Sequence, residues 1–325
     1  MKPAIIVTRK IHPDALSLLS RHGHLRVFEG EEPIPPGLLK DWLSSARACL
    51  CMLTDRMTAD VLDSASHLQI IANLAVGYDN FDVDTASKKG IMLTNTPDVL
   101  TEATAELTWA LMLALARQIV PSHQAILANQ WKAWSPDSFL ATQLTGKTLG
   151  IAGLGRIGTA VARRAPAFGM SVVAWQRQDS DGSSPDGILR LNLQEFLQRS
   201  DVISLHLPLT TATRAVVNRT WFQNMKPTAF LINTARGGLI DESALKEALD
   251  RGYLKGAALD VLNEEPQGAS HPLVSHPLVL ATPHIGSATS ETRRAMALRA
   301  ATNIVAALND ETPPDLLNAA FLPKA

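Results

Sequence analysis

Cysteine is nearly absent: Cys49 and Cys51 are the two in a chain of 325 residues. Both lie in "ACLCML", a strand-like run. There the thiols are expected on opposite faces, as small core hydrophobes unable to bridge each other, in a protein suited to a reducing cytoplasm. Excess charge of either sign is also missing, with 30 Lys and Arg against 31 Asp and Glu. That balance leaves no electrostatic footprint for nucleic acid or for an anionic membrane. Long apolar runs are missing too. "LTWALMLALA", between Glu106 and Arg117, is the longest strongly apolar helical run at ten residues, where about 20 are needed to cross a bilayer. It is expected to be a buried helix. "MKPAIIVTRK" enters a strand at once, without the length or cleavage site of a secretion signal. No short-period repeat or low-complexity tract breaks the chain.

What is present is an ordinary soluble composition, 46% apolar and 19% charged, at a length that suits two domains. Short apolar runs alternate with helical patterns almost throughout, which predicts parallel α/β architecture. Residues 1–98 hold "AIIV", "LRVF", "ACLCML", "LQIIAN" and "GIMLTN", with "HPDALSLLSRH", "PPGLLKDWLSSA" and "MTADVLDSA" as helices between them. One long helix follows in "TPDVLTEATAELTWALMLALARQ", its start marked by Thr101 and acidic residues. An irregular loop, "NQWKAWSPDSFLATQLTG", comes next. A second series then begins at Lys147: "TLGIAG", "SVVAW", "DVISLHLP", "AFLINTA", "GAALDV" and "LVLATP". "SETRRAMALRAATNIVAAL" is a further amphipathic helix. The expected organisation is a discontinuous domain of residues 1–98 and 290–325 around an inserted domain of 99–289. A cleft between them is the expected place for a small-molecule site.

"KTLGIAGLGRIGTAVARRA" carries Gly153, Gly155 and Gly158 as G-x-G-x-x-G between a strand and a helix opening at Arg156. The first glycine permits the tight turn, the second the approach of a pyrophosphate, and the third close packing of helix on strand. Leu154, Arg156 and Ile157 complete the turn, and the helix amides meet the phosphates. About 20 residues on, an NAD site expects an acid at the end of the second strand, to bind the ribose 2′-OH. Here stand Trp175 and Gln176, with Arg177 next. An arginine fork suits a 2′-phosphate, so NADPH is the expected cofactor, with NADH weaker.

Three polar residues directly follow apolar strands: Arg236 after "AFLINTA", Glu265 after "GAALDVLNE" and His284 after "LVLATP". In an open parallel sheet the carboxyl ends of strands line the ligand crevice. Together these side chains suit reduction of a 2-oxo acid. Arg236 grips the carboxylate and polarises the carbonyl, His284 donates a proton to the forming alkoxide, and Glu265 holds the imidazolium. His284 is aimed by the preceding proline. Of the other histidines, His271 and His276 read as surface residues, and His12, His22, His24, His67 and His123 lack a comparable setting. His206 has two readings, cofactor contact or packing. No metal site is expected.

"GLGRIG", "INTARGGLIDESAL", "AALDVLNEEP" and "TPHIGSAT" resemble the D-isomer-specific 2-hydroxyacid dehydrogenases over nearly the whole chain. "AVGYDNFDVD", "TPDVLTEATAEL" and "PHIGSATSETR" look most like the glyoxylate/hydroxypyruvate reductases within that family. The resemblance implies a flavodoxin-like substrate domain around an inserted Rossmann domain. It makes Arg236 the substrate arginine, Glu265 the partner of the histidine, and His284 the proton donor. The backbone amides of Val76 and Gly77 would hold the substrate carboxylate, with Ser287 beside the substrate. Asp260 would sit near the nicotinamide amide, and His206, Pro208, Thr234, Ala235 and Gly286 would line the cofactor. The family is usually dimeric. Trp131 and Trp134 read as dimer packing, and the resemblance also implies that Trp134 closes the neighbouring subunit's pocket.

Phosphonate (phosphite) dehydrogenases share some of these features. They look to use a lysine before the glycine of "A-x-G-[YF]-D-N", where this chain has Val76. Formate dehydrogenases resemble the pattern with glutamine in place of Glu265, and phosphoglycerate dehydrogenases with a regulatory domain need a longer tail. A non-catalytic alternative is a dinucleotide-sensing corepressor similar to the C-terminal-binding proteins, which carry partner-binding tails that this chain does not.

Overall fold

The computed structural model describes residues 2–176, 182–183 and 187–321. Two compact units divide the chain, Met1–Leu100 with Ser287–Ala325, and Thr101–Gly286.

The first unit is built on β1 (Ala4–Val7), β2 (His24–Val27), β3 (Ala48–Cys51), β4 (Ile70–Asn73) and β5 (Met92–Thr94). They pair in parallel in the order β2-β1-β3-β4-β5, which is flavodoxin-like. β3 and β4 are buried along their whole length, because parallel strands are covered on both faces and so need continuous apolar sequence. One face packs Ile71 and Leu93 against Trp42, Leu43 and Leu62. The other packs Ile5, Val7, Leu50 and Ile70 against Ala297, Ala300, Ala301 and Ile304 of the helix Ser290–Leu308. The late helix therefore returns to complete the core of the first unit, and the side chain of Thr289 caps its start by accepting from Thr292 N at 3.1 Å. Cys49 and Cys51 correct the expectation of opposite faces. Both sit in the same cluster, because residues i and i+2 of a strand share a face, and both are free and fully buried.

In the second unit the strands are β6 (Thr148–Ala152), β7 (Ser171–Trp175), β8 (Gly182–Ser183), β9 (Leu189–Arg190), β10 (Val202–Leu205), β11 (Phe230–Asn233), β12 (Gly256–Leu259) and β13 (Val279–Ala281). Their order is β13-β12-β11-β10-β6-β7-β9-β8, parallel except for the antiparallel β8–β9 edge. The chain runs outward from β6 to β9, then crosses back to β10. That reversal makes the β6–β10 junction a topological switch point, where open α/β sheets bind ligands beyond their carboxyl ends.

Apolar patterning does not mark the edge pair β8–β9, which has two residues in each strand. The long helix is shorter than its pattern. It spans Thr101–Ala116, Gln118 turns left-handed at φ +52°, and a separate helix covers Ile119–Leu127. As expected, the apolar run is mostly buried, with Ala110 alone of its residues exposed: Trp109 donates to Val161 O at 3.0 Å and stacks on Phe168 with centroids 4.4 Å apart. No helix among the described residues is long and apolar enough to cross a membrane.

Candidate active site

The glycine turn lies at the switch point. Gly153 follows β6 at φ +98°, a left-handed conformation, and a Cβ there would come within 2.8 Å of His206 O at the end of β10. A Cβ on Gly158 would meet Gly153 O at 2.2 Å, so the helix Arg156–Arg164 packs on the turn only because this glycine has no side chain. Gly155 differs: nothing lies within 4 Å of its missing Cβ, and no side chain caps the helix it precedes. Open space faces uncapped amides, which is the setting a pyrophosphate needs. The turn thus fits the phosphates of a dinucleotide. Leu154 and Ile157 are half-buried around it, and Arg156 is exposed.

Trp175, the last residue of β7, turns into the core, edge-on to Trp221 at 5.3 Å. Gln176 beside it is half-buried. Arg177 lies outside the described residues.

Arg236, Glu265 and His284 follow β11, β12 and β13, which are neighbours in the sheet, so their carboxyl ends open on one edge. The turn bearing Arg236 is clamped by the buried Asn233, which accepts from Ala235 N at 3.0 Å and donates to Arg236 O at 2.8 Å. Nη1 of Arg236 donates to Ala235 O at 2.8 Å, which orients the fork. Glu265 Oε2 bonds His284 Nδ1 at 2.7 Å, and Oε1 accepts from Leu262 N at 2.9 Å. Burial alone would raise the Glu265 carboxyl. The His284 bond, the Leu262 amide and the nearby charge of Arg236 overcome it and hold the group below the usual carboxylate range. The side chains of His284 and Glu265 keep 35% and 31% of their surface exposed, so a small molecule can reach the pair.

His284 stands at φ +54°, and left-handed backbone costs a residue with a side chain roughly 1–2 kcal/mol. Asp260, at the end of β12, offsets that cost. Its carbonyl accepts from His284 N at 2.9 Å. Its carboxylate accepts from Ile285 N and Gly286 N, both at 2.8 Å, and from Thr282 Oγ1 at 2.7 Å. Burial raises the Asp260 carboxyl against the pull of these donors. Aim therefore comes to the imidazole chiefly from Asp260, a role the sequence pattern did not assign; the signal was a lone carboxylate closing an apolar strand.

His206 bonds Ser204 Oγ at 2.9 Å, and burial lowers its pKa to about 3. It is neutral near pH 7. His271 and His276 are not simple surface residues: each Nδ1 accepts the amide two residues on, from Leu273 and Leu278, and each Nε2 faces a carboxylate, Glu242 at 3.4 Å and Asp250 at 3.3 Å. Thr234 Oγ1 pairs with Thr108 Oγ1 at 2.9 Å, and Pro208 O accepts from Thr213 Oγ1 at 2.6 Å. Trp134 is 80% exposed.

Val76, Gly77 and Ser287 belong to the first unit. Asn95 Nδ2 donates to Val76 O at 2.7 Å, and Asn73 Nδ2 to Gly77 O at 2.8 Å. Both carbonyls are thus taken, while neither amide donates a hydrogen bond among the described residues.

Comparison with known proteins bears on the whole chain. A family model described as D-isomer specific 2-hydroxyacid dehydrogenase, NAD binding domain, matches residues 109–286. The glyoxylate reductase of Aeropyrum pernix is 43% identical over 322 residues, 98% of this chain and 96% of that protein. A solved structure of a Thermus thermophilus protein matches with TM-score 0.91 at 44% identity, covering 97% of this chain and 99% of that one. An NADPH-dependent glyoxylate/hydroxypyruvate reductase from Sinorhizobium meliloti, solved with NADP and malonate, matches with TM-score 0.87 at 32% identity over 100% of both chains.

Proposed function

Since the chain belongs to the D-isomer-specific 2-hydroxyacid dehydrogenases and is an NAD(P)-dependent oxidoreductase of that family, we propose that it reduces a small 2-oxo acid, glyoxylate or hydroxypyruvate, to the D-2-hydroxy acid, with NADPH preferred. The observation that carries this reading is the 2.7 Å bond between His284 Nδ1 and Glu265 Oε2, on the same sheet edge as Arg236 and in the same unit as the phosphate turn. A bound nicotinamide would supply the hydride. His284 supplies the proton: Glu265 occupies Nδ1, so Nε2 is left to donate to the oxygen of the reduced carbonyl. Arg236 holds that oxygen and the carboxylate with its fork.

The free amides of Val76 and Gly77 support a role in holding the substrate carboxylate, with Ser287 as a further contact. Gly153 to Gly158, Gln176, His206, Pro208, Thr234, Ala235, Asp260 and Gly286 form the proposed cofactor surface. Steady-state turnover tests the reading. Oxidation of NADPH with glyoxylate or hydroxypyruvate is expected, and no turnover of either acid, or of pyruvate, with both cofactors overturns it.

NADPH preference is proposed from Arg177 and from the missing acid at Gln176. A charge-assisted hydrogen bond to the 2′-phosphate, at about 1.5–3 kcal/mol, allows a preference of roughly tenfold to a hundredfold. Arg177→Asp is expected to shift the NADPH/NADH ratio of kcat/KM towards NADH by about that factor. An unchanged ratio removes phosphate recognition from this residue.

A homodimer is proposed from the stretch 119–140, where Ile119, Ile126, Leu127, Trp131, Trp134 and Leu140 are all more than half exposed. So many apolar side chains on one stretch exceed the scatter normal for a monomer surface. Light scattering is expected to give about twice the 35.0 kDa chain mass; a single-chain mass at micromolar concentration contradicts it.

A further inference from the structure

The turn that bears Glu265 is fixed from outside by a second imidazole–carboxylate couple. Glu242 opens the helix Glu242–Asp250, but the cap is made by Asp241, whose Oδ1 accepts from Ala244 N at 3.0 Å. The Glu242 carboxylate is therefore free to reach outward. Its Oε1 accepts from Asn263 N at 2.7 Å, and its Oε2 lies 3.4 Å from His271 Nε2. His271 Nδ1 accepts from Leu273 N, which leaves Nε2 as the ring nitrogen that faces Glu242. These side chains are only 14% and 23% exposed, which sets them apart from a solvated surface pair.

Asn263 N is one of two consecutive amides taken by carboxylates. The other, Leu262 N, donates to Glu265 itself at 2.9 Å. On its far side the same backbone presses on the Arg236 turn, where a Cβ on Gly237 would lie 1.9 Å from Leu262 C and 2.3 Å from Asn263 N. The peptide between Leu262 and Asn263 is thus pinned between Gly237 and Glu242, three residues from Glu265.

We propose that Glu242 is a positioning residue for the reaction: anchored by His271, it holds the Asn263 amide and so sets the turn that presents Glu265 to His284. This rests on the reading of His284 and Glu265 as the acid couple. Removing the outer anchor lets the turn relax away from Gly237. Glu265 then loses its alignment with Nδ1 while every group that touches substrate is still present. The charged and titratable groups in the assembly are Asp241 and His271 around Glu242, Arg236 and His284 around Glu265, and Asp260 beneath His284.

Glu242→Asp tests this, because it withdraws the carboxylate by one methylene yet leaves an acid in the first helical turn. Glu242→Gln keeps an acceptor oxygen at full reach. For Glu242→Asp, kcat with NADPH and glyoxylate is expected to fall about tenfold with KM for NADPH unchanged, as misplacement of a supporting group does. Glu242→Gln is expected to lower kcat less than Glu242→Asp does, to about the level of His271→Ala, because its one oxygen still serves Asn263 N while its NH2 replaces the oxygen that faces His271. His271→Ala, with Glu242 intact, should lower kcat in the same direction by less. Wild-type kcat in Glu242→Asp overturns the proposal, as does a Gln variant no better than Asp. Glu265→Gln is measured alongside. If it leaves kcat unchanged, the acid couple itself has failed and the proposal falls with it; if it lowers kcat while Glu242→Asp does not, the proposal alone has failed.

Discussion

His284→Ala is expected to lower kcat for 2-oxo acid reduction by roughly 10²–10⁴, the range for a lost general acid. The hydride acceptor becomes an alkoxide, and the three other imidazoles that follow strands of the second unit are engaged elsewhere. His206 is held neutral at a pKa of about 3 by burial, and His271 and His276 each accept an amide at Nδ1 and face a carboxylate with Nε2. KM changes little, since the guanidinium and backbone donors proposed to hold the carboxylate are untouched. His284→Asn checks that the loss is chemical, because asparagine tolerates the left-handed φ of +54° better than alanine does. Single-turnover and steady-state rates decide it; either variant within about threefold of wild type removes His284 from the chemistry. The couple is also expected to set the acid side of the pH profile. Glu265 is depressed in the folded protein, so its contribution is complete above the ordinary carboxylate value and is lost only as pH falls through the lowered one. Wild-type turnover should therefore hold down to about pH 5, above the ordinary Glu value.

Arg236→Lys is the second large effect, with kcat/KM expected to fall about 10²–10³-fold, the cost of losing an oxyanion donor. Charge is kept, so the loss isolates geometry. The guanidinium can use one Nη to bond Ala235 O at 2.8 Å and still present a fork. An ammonium on a flexible stem has no second planar donor to offer. Asn233 clamps the backbone at Ala235 and Arg236 whatever the side chain, so thermal stability should be close to wild type. An Arg236→Lys enzyme with wild-type kcat/KM would place carbonyl polarisation elsewhere.

The strands were legible because parallel sheets bury both faces, and "ACLC" is apolar throughout while "IIAN" and "FLIN" are apolar up to a closing asparagine. The candidate site residues could be picked out for a related reason: a charged side chain just after a buried strand has only the crevice to face. Other features had no comparable signal. A two-residue edge pair such as β8–β9 has too few positions to show a period. Gln118 ends a helix by its backbone angle, where no glycine or proline marks the stop. The His-Pro-Leu segments at His271 and His276 look like solvated turns in one dimension. Each imidazole in fact accepts a local amide and reaches a carboxylate from another part of the chain, a pairing set by tertiary placement. The hydrogen bonds that Asp260 and Glu242 make were hidden in the same way. Each acts by accepting backbone amides, and no residue pattern says which amides a fold will bring within reach.

The most direct test of the account is a structure of the protein with NADP⁺ and oxamate, whose amide resists reduction while its shape matches glyoxylate. The oxygen that stands for the reacting carbonyl is expected within about 2.6–3.2 Å of both His284 Nε2 and the Arg236 guanidinium, with Glu265 still on Nδ1. Oxamate bound with that oxygen out of reach of the imidazole would contradict proton donation by His284.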